Sequence, residues 1–314
     1  LGNADLVGKM SSMVAPIANL ATSKPGSLPR KIMEKTTGIA AERVLPTYAS
    51  ERFSTWFRKR KKQQPPLEAK RAPVVLYQTC LVEYQEPAIG QDAVKVLERN
   101  GTPVDIAEGS VCCGMPWLDA GNLDAFARQA EKNVQVLAAQ VRAGKEVVVT
   151  QPTCAYTLKK EYVQYLGSED AKLVGAHTLD IAEYLMRVHR REGGLDTEFT
   201  GSAPETVSWH VPCHLRAQNI GHRSKDLMEL TGAKVTPIER CSGIDGTWGL
   251  RAKNYELARK VAQPLKRAIE DANCACVAGD CHLANGAILQ ETGRTAVHPI
   301  QVVARAYGIS EEKP

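Results

Sequence analysis

The sequence predicts an α/β protein of two related lobes with parallel sheets, preceded by a mostly helical and irregular N-terminal segment. Short apolar strands alternate with amphipathic helices, which is typical of βαβ units. Cysteines also recur in the same order in both halves, with an offset that drifts from 133 residues (Cys80 to Cys213) to 127 residues (Cys154 to Cys281). We therefore expect an N-terminal segment at 1–70 and two pseudo-repeat lobes at 71–195 and 204–310.

The composition narrows the class of protein. The chain has 314 residues, 43% of them hydrophobic, and a net charge of +5. No apolar run is long enough to span a bilayer. The sequence has neither a basic stripe nor a nucleic-acid-binding motif, so nucleic-acid binding is not expected. Nine cysteines in a long chain without a recognisable signal peptide indicate metal or redox chemistry in a reducing compartment. We therefore expect a cytoplasmic protein.

The N-terminal segment contains one helical pattern and one basic stretch. Residues 6–20 are predicted to form an amphipathic helix, and residues 53–66, "FSTWFRKRKKQQPP", combine aromatic side chains with five consecutive basic ones. This stretch has two interpretations. It is either a peripheral contact with the inner face of an anionic membrane or with a partner, or a solvated basic linker.

The first lobe is predicted from three strand patterns, each followed by cysteines. The predicted elements, in order, are strand 74–77, helix 88–98, strand 103–107, helix 123–142, strand 146–150 and helix 179–188. Asn122 is expected to cap the long helix, because asparagine is favoured at that position. Cys80, Cys112-Cys113-Gly114 and Cys154 follow the three strands.

The second lobe repeats this order. The predicted elements are strand 206–211, helix 223–230, strand 233–238, helix 254–272, strand 274–278 and a last helix after His298. Cys274 and Cys276 align at the 127-residue offset with valines inside a strand, so we interpret them as core residues, since free cysteine is often buried as an apolar residue. The other seven cysteines fall at strand ends or turns.

Four of these cysteines are expected to form a first site. The carboxyl ends of parallel strands lie at one edge of a sheet, so Cys80, Cys112, Cys113 and Cys154 should converge there. Four cysteines are the usual ligands of an iron–sulfur cluster, and we expect a [4Fe–4S] cluster. A zinc site is a second interpretation, although the chain lacks the usual C-x2-C ligand pairs. Unligated buried thiols are a third.

A second site is expected from Cys213, Cys241 and Cys281. Ser242 occupies the position that Cys113 has in the first copy. A fourth ligand could come from His214, His282, Asp280 or solvent. The same three thiols could instead bind zinc or bind nothing. Each of the two histidines could also serve as a hydrogen-bonding neighbour of the site.

The pattern of a cysteine, about thirty residues, Cys-Cys-Gly, about forty residues and a cysteine, in two copies, resembles the cysteine-rich CCG domain family. That family includes one subunit of heterodisulfide reductase, the iron–sulfur subunit of glycolate oxidase, lactate-utilisation iron–sulfur proteins and one subunit of anaerobic glycerol-3-phosphate dehydrogenase. The stretches "WHVPCHLRAQNIG", "GTWGLRAKNYELARKV", "VHPIQVVARA" and "PTCAYTLKKEY" are most like the last of these.

The resemblance implies an iron–sulfur oxidoreductase subunit that passes electrons between a flavoprotein or ferredoxin-type partner and a quinone or a thiol/disulfide acceptor. It implies that FAD would be carried only by a partner chain. The seven loop cysteines match the family's ligand positions. Thr157, Ser242 and Ala284 stand where the family's full motif has further cysteines, so neither copy holds five. A reductase that binds substrate at the incomplete second site, and a structural-zinc scaffold, are the alternatives.

Overall fold

A computed structural model describes residues 2–63, 68–191 and 194–310, with the backbone alone for 61–63. Two four-stranded sheets, both parallel throughout, confirm the predicted α/β fold of two repeated lobes. The first sheet has the order β2-β1-β3-β4, and its strands are β1 (Val74–Leu76), β2 (Val104–Ile106), β3 (Glu146–Val149) and β4 (Thr178–Asp180). The second has the same order, β6-β5-β7-β8, and its strands are β5 (Thr206–His210), β6 (Lys234–Ile238), β7 (Cys276–Gly279) and β8 (Ala296–Val297).

Helices connect the strands in both lobes. The N-terminal segment contributes α1 (Ala4–Met13), α2 (Ala15–Thr22), α3 (Leu28–Thr37) and α4 (Phe53–Gln63). The helices of the first lobe are α5 (Cys80–Tyr84), α6 (Pro87–Arg99), α7 (Met115–Leu118), α8 (Leu123–Arg142), α9 (Pro152–Tyr156), α10 (Tyr162–Leu166), α11 (Glu169–Ala176) and α12 (Ile181–Arg191). Those of the second lobe are α13 (Cys213–Ala217), α14 (Arg223–Glu229), α15 (Tyr255–Ala272), α16 (His282–Thr292) and α17 (Pro299–Ala306).

The fourth strand of each sheet differs from the sequence-based expectation. Residues 178–180 form β4, whereas we predicted that a helix begins at Leu179; that helix, α12, begins at Ile181. β4 has a single apolar residue, Leu179, between Thr178 and Asp180 and leads directly into α12, so no apolar run identifies it as a strand. The prediction also left 152–176 unassigned, where α9 continues through a π-helical turn at Thr157–Glu161 into α10, followed by α11.

The register of β7 corrects the alignment used for Cys276. Val207 of β5 pairs with Cys276, just as Val74 of β1 pairs with Glu146. Cys276 is therefore equivalent to Glu146 and not to Val149. The two alignments differ because the segment from β7 to Cys281 is shorter than the segment from β3 to Cys154. Both Cys274 and Cys276 lie at the amino end of β7, away from the edge where Cys281 lies.

The two lobes share part of one hydrophobic core. Buried residues of α6 and α12 in the first lobe belong to the same cluster as residues of α14 and α17 in the second, among them Leu97, Leu185, Leu227 and Val303. Phe53 and Phe57 of α4 also join this cluster. The lobes are thus held together by apolar packing, which is the dominant stabilising term in folding.

The N-terminal segment packs on both lobes. The buried guanidinium of Arg30 donates hydrogen bonds to the carbonyls of Thr22, Ala40 and Arg43 at 2.7–3.1 Å. Ile39 then pairs with Arg251 of the second lobe in an antiparallel bridge. The Arg30 bonds hold the segment itself together, the bridge ties it to the second lobe, and the Ser12 hydroxyl reaches the Tyr84 carbonyl of the first lobe.

The stretch at 53–66 is oriented with its aromatic side chains inward. Phe53 and Phe57 are buried, Arg58 pairs with Glu108, and Arg60 pairs with Glu98. Residues 64–66 lie outside the described part. Among the described residues, none of the helices combines the length and the apolar character that crossing a membrane requires. The membrane contact of this stretch remains a prediction.

Candidate metal centre at the lobe interface

The first candidate site lies at the carboxyl edge of the first sheet. Cys80 opens α5 directly after β1, Cys112 and Cys113 follow β2, and Cys154 lies in α9 after β3. The chain winds outward in opposite directions from β1 and β3, and crevices at such switch points are where α/β sheets bind ligands. Topology alone therefore brings these loops to one place.

Hydrogen bonds link the four thiols of this site in a chain from Cys80 through Cys112 and Cys113 to Cys154. The Cys112 thiol is hydrogen-bonded to the thiols of Cys113 and Cys80, and Cys113 is also bonded to Cys154. Bonds from Cys112 and Cys154 lower the pKa of Cys113, whereas the same bonds, with burial, raise the pKa of the two donors. Of these three thiols, only Cys113 is thus favoured in the thiolate form.

A buried polar network fixes the backbone of the Cys112-Cys113 turn. Asn133 of α8 is fully buried; its Oδ1 accepts the Val111 N–H at 2.8 Å, and its Nδ2 donates to the Cys112 carbonyl at 3.2 Å. The Tyr162 hydroxyl donates to the Cys113 carbonyl at 2.9 Å and accepts from Asn133. The sequence prediction missed both residues, because such side-chain-to-backbone bonds leave no periodic pattern.

Gly114 allows the tight turn after the two thiols. Its φ of +86° lies in the left-handed region, and a Cβ there would approach Phe126 Cδ2 to 2.9 Å. Gly243 has φ +71° at the equivalent place in the second copy, where a Cβ would lie 2.0 Å from the Ala258 carbonyl oxygen. Both copies therefore need glycine to make this turn, with or without a second cysteine before it.

Two further residues adjoin the first site without having been predicted. The Asp5 carboxylate of α1 accepts the backbone N–H of Cys112 at 2.6 Å. The Thr157 hydroxyl, at the position of the family's next cysteine, is hydrogen-bonded to the Cys113 thiol and donates to the Thr153 carbonyl. Thr157 begins the π-helical turn, a feature frequent at functional sites.

The second candidate site is more open. Cys213 begins α13 after β5, Cys241 follows β6, and Cys281 precedes α16 after β7. Cys213 and Cys241 are exposed, in contrast to the buried Cys112, Cys113 and Cys154. Burial and the neighbouring Cys241 raise the pKa of Cys213, and burial raises that of Cys281, with Cys213 a smaller contribution. Ser242 is buried in the same turn.

The two histidines proposed as extra ligands contact the first lobe. His214 Nδ1 lies 3.0 Å from Thr153 Oγ1, and its ring stacks on Tyr156 with centroids 5.1 Å apart. His282 Nδ1 lies 3.1 Å from Glu86 Oε1. The Thr153 contact occupies one nitrogen of the His214 ring, and metal ligation by either histidine remains a prediction.

The candidate sites meet where the carboxyl edges of the two sheets face each other. Besides the His214 contact, Gln218 Nε2 donates to the Pro152 carbonyl at 3.2 Å, and His298 Nε2 lies 2.8 Å from the Thr150 carbonyl. His298 also caps α17 by accepting the Ile300 N–H. Cys281 adds to the effects that raise the pKa of Cys154, so the thiols of the two sites are electrostatic neighbours.

The donor set of the first site fits an iron–sulfur cluster by its chemistry. Four neighbouring thiols in a largely buried place cannot all lose their protons, because adjacent thiolates repel each other. Iron would offset this repulsion and bind all four as thiolates. Among the described residues, no group of three or more His, Cys, Asp or Glu side chains is arranged to hold a metal ion. The ligand set therefore stays a prediction.

The repeated parallel α/β lobes and their interfacial thiols define a cysteine-rich protein of the oxidoreductase class. The family model described as "Cysteine-rich domain" (CCG) matches residues 74–159 and 207–284, once in each lobe. The chain belongs to this family.

Curated relatives extend the match over the whole chain. The subunit designated C of anaerobic glycerol-3-phosphate dehydrogenase from Escherichia coli is 31% identical over 310 residues, which are 98% of this chain and 76% of the relative. The subunit designated B of fumarate reductase (CoM/CoB) from Methanothermobacter marburgensis is 29% identical over 64% of this chain and 38% of its own length. Lactate utilization protein A of Geobacillus thermodenitrificans is 26% identical over 57% and 74%. The dehydrogenase and reductase matches confirm the oxidoreductase assignment. The iron–sulfur assignment is supported by an uncharacterized iron-sulfur protein of Methanocaldococcus jannaschii, which is 29% identical over 69% of this chain and 41% of its own length.

Proposed function

We propose that this chain is the iron–sulfur electron-transfer subunit of a larger oxidoreductase, and that Cys80, Cys112, Cys113 and Cys154 hold a [4Fe–4S] cluster. The observation that carries the proposal is the chain of hydrogen bonds that links four thiols at the switch point of a parallel sheet. Relatives named as dehydrogenase and reductase subunits support the same role.

A bound cluster would supply one-electron chemistry, and the protein's own residues would control access to it. Cys112, Cys113 and Cys154 are each less than a tenth exposed, so the surrounding side chains exclude water from the sulfur atoms. Asn133 and Tyr162 hold the turn that carries two of the thiols. Rigid support of this kind keeps ligands in place and tunes a metal site.

Hydride chemistry would require a partner. The sequence has no flavin fingerprint, so we propose that a flavoprotein subunit carries FAD and exchanges electrons with the chain, directly or through a ferredoxin-type subunit. The acceptor we propose is a quinone or a thiol/disulfide compound.

The outer side of α1 and α2 is the surface that we propose for such a partner. Five apolar side chains, each more than half exposed, follow one another at intervals of four and three residues: Leu6, Met10, Met13, Ile17 and Leu20. This spacing is typical of the seam between packed helices. Lys9 on α1 and Lys24 just after α2 are exposed beside these apolar side chains, so we propose a partner with an acidic rim.

A carrier assay would test this surface. Reduced bacterial ferredoxin, used as an acidic electron carrier, should reduce the cluster more slowly in Ile17→Glu than in the unmodified chain, while reduction by dithionite stays the same. Leu257→Glu, which changes an exposed side chain on α15, is the matched control. Equal ferredoxin rates in all three proteins would show that the surface does not dock an acidic carrier.

Metal analysis tests the electron-transfer role. Iron, zinc and acid-labile sulfide are measured on anaerobically purified protein, and EPR spectra are recorded before and after dithionite. We expect about four irons and four sulfides per chain for one [4Fe–4S] cluster. Cys112→Ser should lose this iron and sulfide, and Cys276→Ser should keep it. The control changes a half-buried cysteine at the far end of β7.

Other results would favour the alternatives. Zinc without sulfide would contradict electron transfer and support a structural-zinc scaffold. A count near twice that of one cluster would mean that Cys213, Cys241 and Cys281 also hold iron, and substitution of His214 and His282 would then identify the fourth ligand. The exposure of Cys213 and Cys241 favours one further candidate, a reductase that binds its substrate at the second site. That candidate predicts an EPR change when a disulfide substrate is added.

A further inference from the structure

The N-terminal helix α1 is fitted closely against the first site. Glycine occupies two contact points on the inner side, Gly2 just before the helix and Gly8 within it, where a Cβ would lie 2.2 Å from Trp117 Cε2 and 2.4 Å from Tyr84 Cδ2. Contacts this short are not tolerated by real side chains, so the helix can approach this closely only with glycine at both places. The close packing of α1 against the first lobe therefore depends on these two glycines.

The inner side continues along the same face into α2. The Ser12 hydroxyl reaches the Tyr84 carbonyl at 3.4 Å, and the Asn19 side chain bonds to both the N–H and the carbonyl of Tyr48. Ala15, between them, is buried. The positions 2, 5, 8, 12, 15 and 19 thus form one inward face, in which Asp5 is the only carboxylate.

Asp5 brings its charge to the Cys112-Cys113 turn. Its Oδ2 accepts the Cys112 N–H at 2.6 Å, and its carboxylate also interacts electrostatically with Cys113. Burial raises the pKa of this carboxyl, and the bond from the Cys112 N–H and the charge of Lys132 oppose that rise. The other groups that interact with this carboxylate are the hydroxyl of Tyr84 and the ammonium of Lys132 on α8. The glycine contacts on both sides leave α1 little freedom to withdraw the carboxylate.

We propose that Asp5 is a positioning residue that lowers the reduction potential of the cluster at the first site. It acts in two ways. Its negative charge lies beside the ligand-position cysteines, and it binds the Cys112 N–H, which is then unavailable to hydrogen-bond to sulfur. The proposal rests on the proposed function, because it requires that this site holds a cluster.

The direction of the effect follows from electrostatics. Reduction adds one negative charge to the cluster, and a fixed carboxylate nearby disfavours that charge, the more so where water is excluded. Net charge and hydrogen bonds to the sulfur atoms are among the main determinants of iron–sulfur potentials. A carboxylate that adds charge and removes a hydrogen-bond donor shifts the potential in one direction by both routes.

Redox titration followed by EPR tests the proposal. Asp5→Asn removes the charge and keeps an oxygen that can accept the Cys112 N–H. We expect the equilibrium constant for one-electron reduction to rise about tenfold, which corresponds to a midpoint about 59 mV more positive. The matched control is Asp124→Asn, which neutralises an exposed carboxylate of the same lobe and should leave the midpoint unchanged.

A second variant tests the proposal if Asp5→Asn does not fold. Lys132→Met removes an exposed cation that interacts with Asp5, so it should shift the midpoint in the opposite, more negative direction and by a smaller amount. An unchanged midpoint in Asp5→Asn, or in Lys132→Met if the first variant does not fold, would overturn the proposal. A chain without iron or sulfide would instead overturn the proposed function, so the two failures are distinguishable.

Discussion

Gly114 has a left-handed backbone conformation and also lies close to the Phe126 ring. Substitutions can separate the cost of the backbone conformation from the cost of the contact. Gly114→Ala should lower the free energy of unfolding and the iron content, because φ is +86° and the new methyl group would lie 2.9 Å from the fully buried Phe126 ring. Gly144→Ala is the matched control, since φ is +83° and no atom lies within 4 Å of the added Cβ. Urea unfolding should show a loss of about 1–2 kcal/mol for the control and a larger loss for Gly114→Ala. Equal losses would mean that the Phe126 contact is not restrictive.

Asp180 is a fully buried carboxyl at the end of β4 whose ionisation should make the protein less stable. Burial, followed by the charge of Asp280, raises its pKa to about 7, and Lys159 and Glu183 are the other charged groups that act on it. The folded state binds this proton more tightly than the unfolded state, whose pKa is near 3.8. The contribution of Asp180 is therefore most favourable below that value and is lost as the pH rises towards 7.

Asp180→Asn should remove this pH dependence. The amide keeps an oxygen for the Ala182 N–H, which Asp180 Oδ1 accepts at 2.9 Å. We expect the variant to be more stable than the unmodified chain at pH 8 and to lose this advantage at pH 4, as measured by urea unfolding at several pH values. Asp124→Asn, on the surface, is the control and should not reproduce the gain in stability at pH 8. A variant that is less stable at pH 8 would contradict the assignment.

At the scale of elements, α8 supports the first site at its centre and is capped at its start. Asn133, in the middle of the helix, makes four hydrogen bonds to the turn and to the tyrosines that hold it. Asn133→Leu keeps the size of the side chain but leaves buried polar groups unpaired, and we expect a loss of about 3 kcal/mol. Cluster iron should also be lost faster to a chelator.

The same helix provides the control. Asn122 Oδ1 accepts the Ala125 N–H at 3.0 Å, and Asn122→Ala should cost about 1 kcal/mol without changing the rate of iron loss. If both variants release iron at the same rate, then the polar network stabilises the fold but does not hold the ligands.

The long helix also shows which elements the sequence could predict. α8 was predicted with its bounds and its cap, because twenty residues give several turns of periodic pattern. The convergence of cysteines after three strands follows from the rule that parallel strands end at one edge. β4 was missed because it has one apolar residue and leads directly into α12, and β8 was missed because it has only two residues. Asp5 was missed because its partner, Cys112, is 107 positions away.

At the scale of the molecule, the shared core makes the two lobes one unfolding unit. α17 of the second lobe packs on α6 of the first, and α14 packs on α12, with Ile300, Val303 and Leu227 in the same cluster as Val96 and Leu185. Separation of the lobes would expose these side chains to water. Each lobe therefore depends on the other for part of its apolar burial.

Hydrogen exchange measures this dependence. Val303 is only 2% exposed, and Val303→Ala should cost about 2 kcal/mol, which is roughly a thirtyfold loss of amide protection. We expect equal losses in β1 and β3 of the first sheet and in β5 and β7 of the second, because global unfolding exposes both. Val261→Ala on the surface of α15 is the control and should change protection little. If only β5 and β7 lose protection, the second lobe opens independently, and the candidate sites can then separate without unfolding of the first lobe.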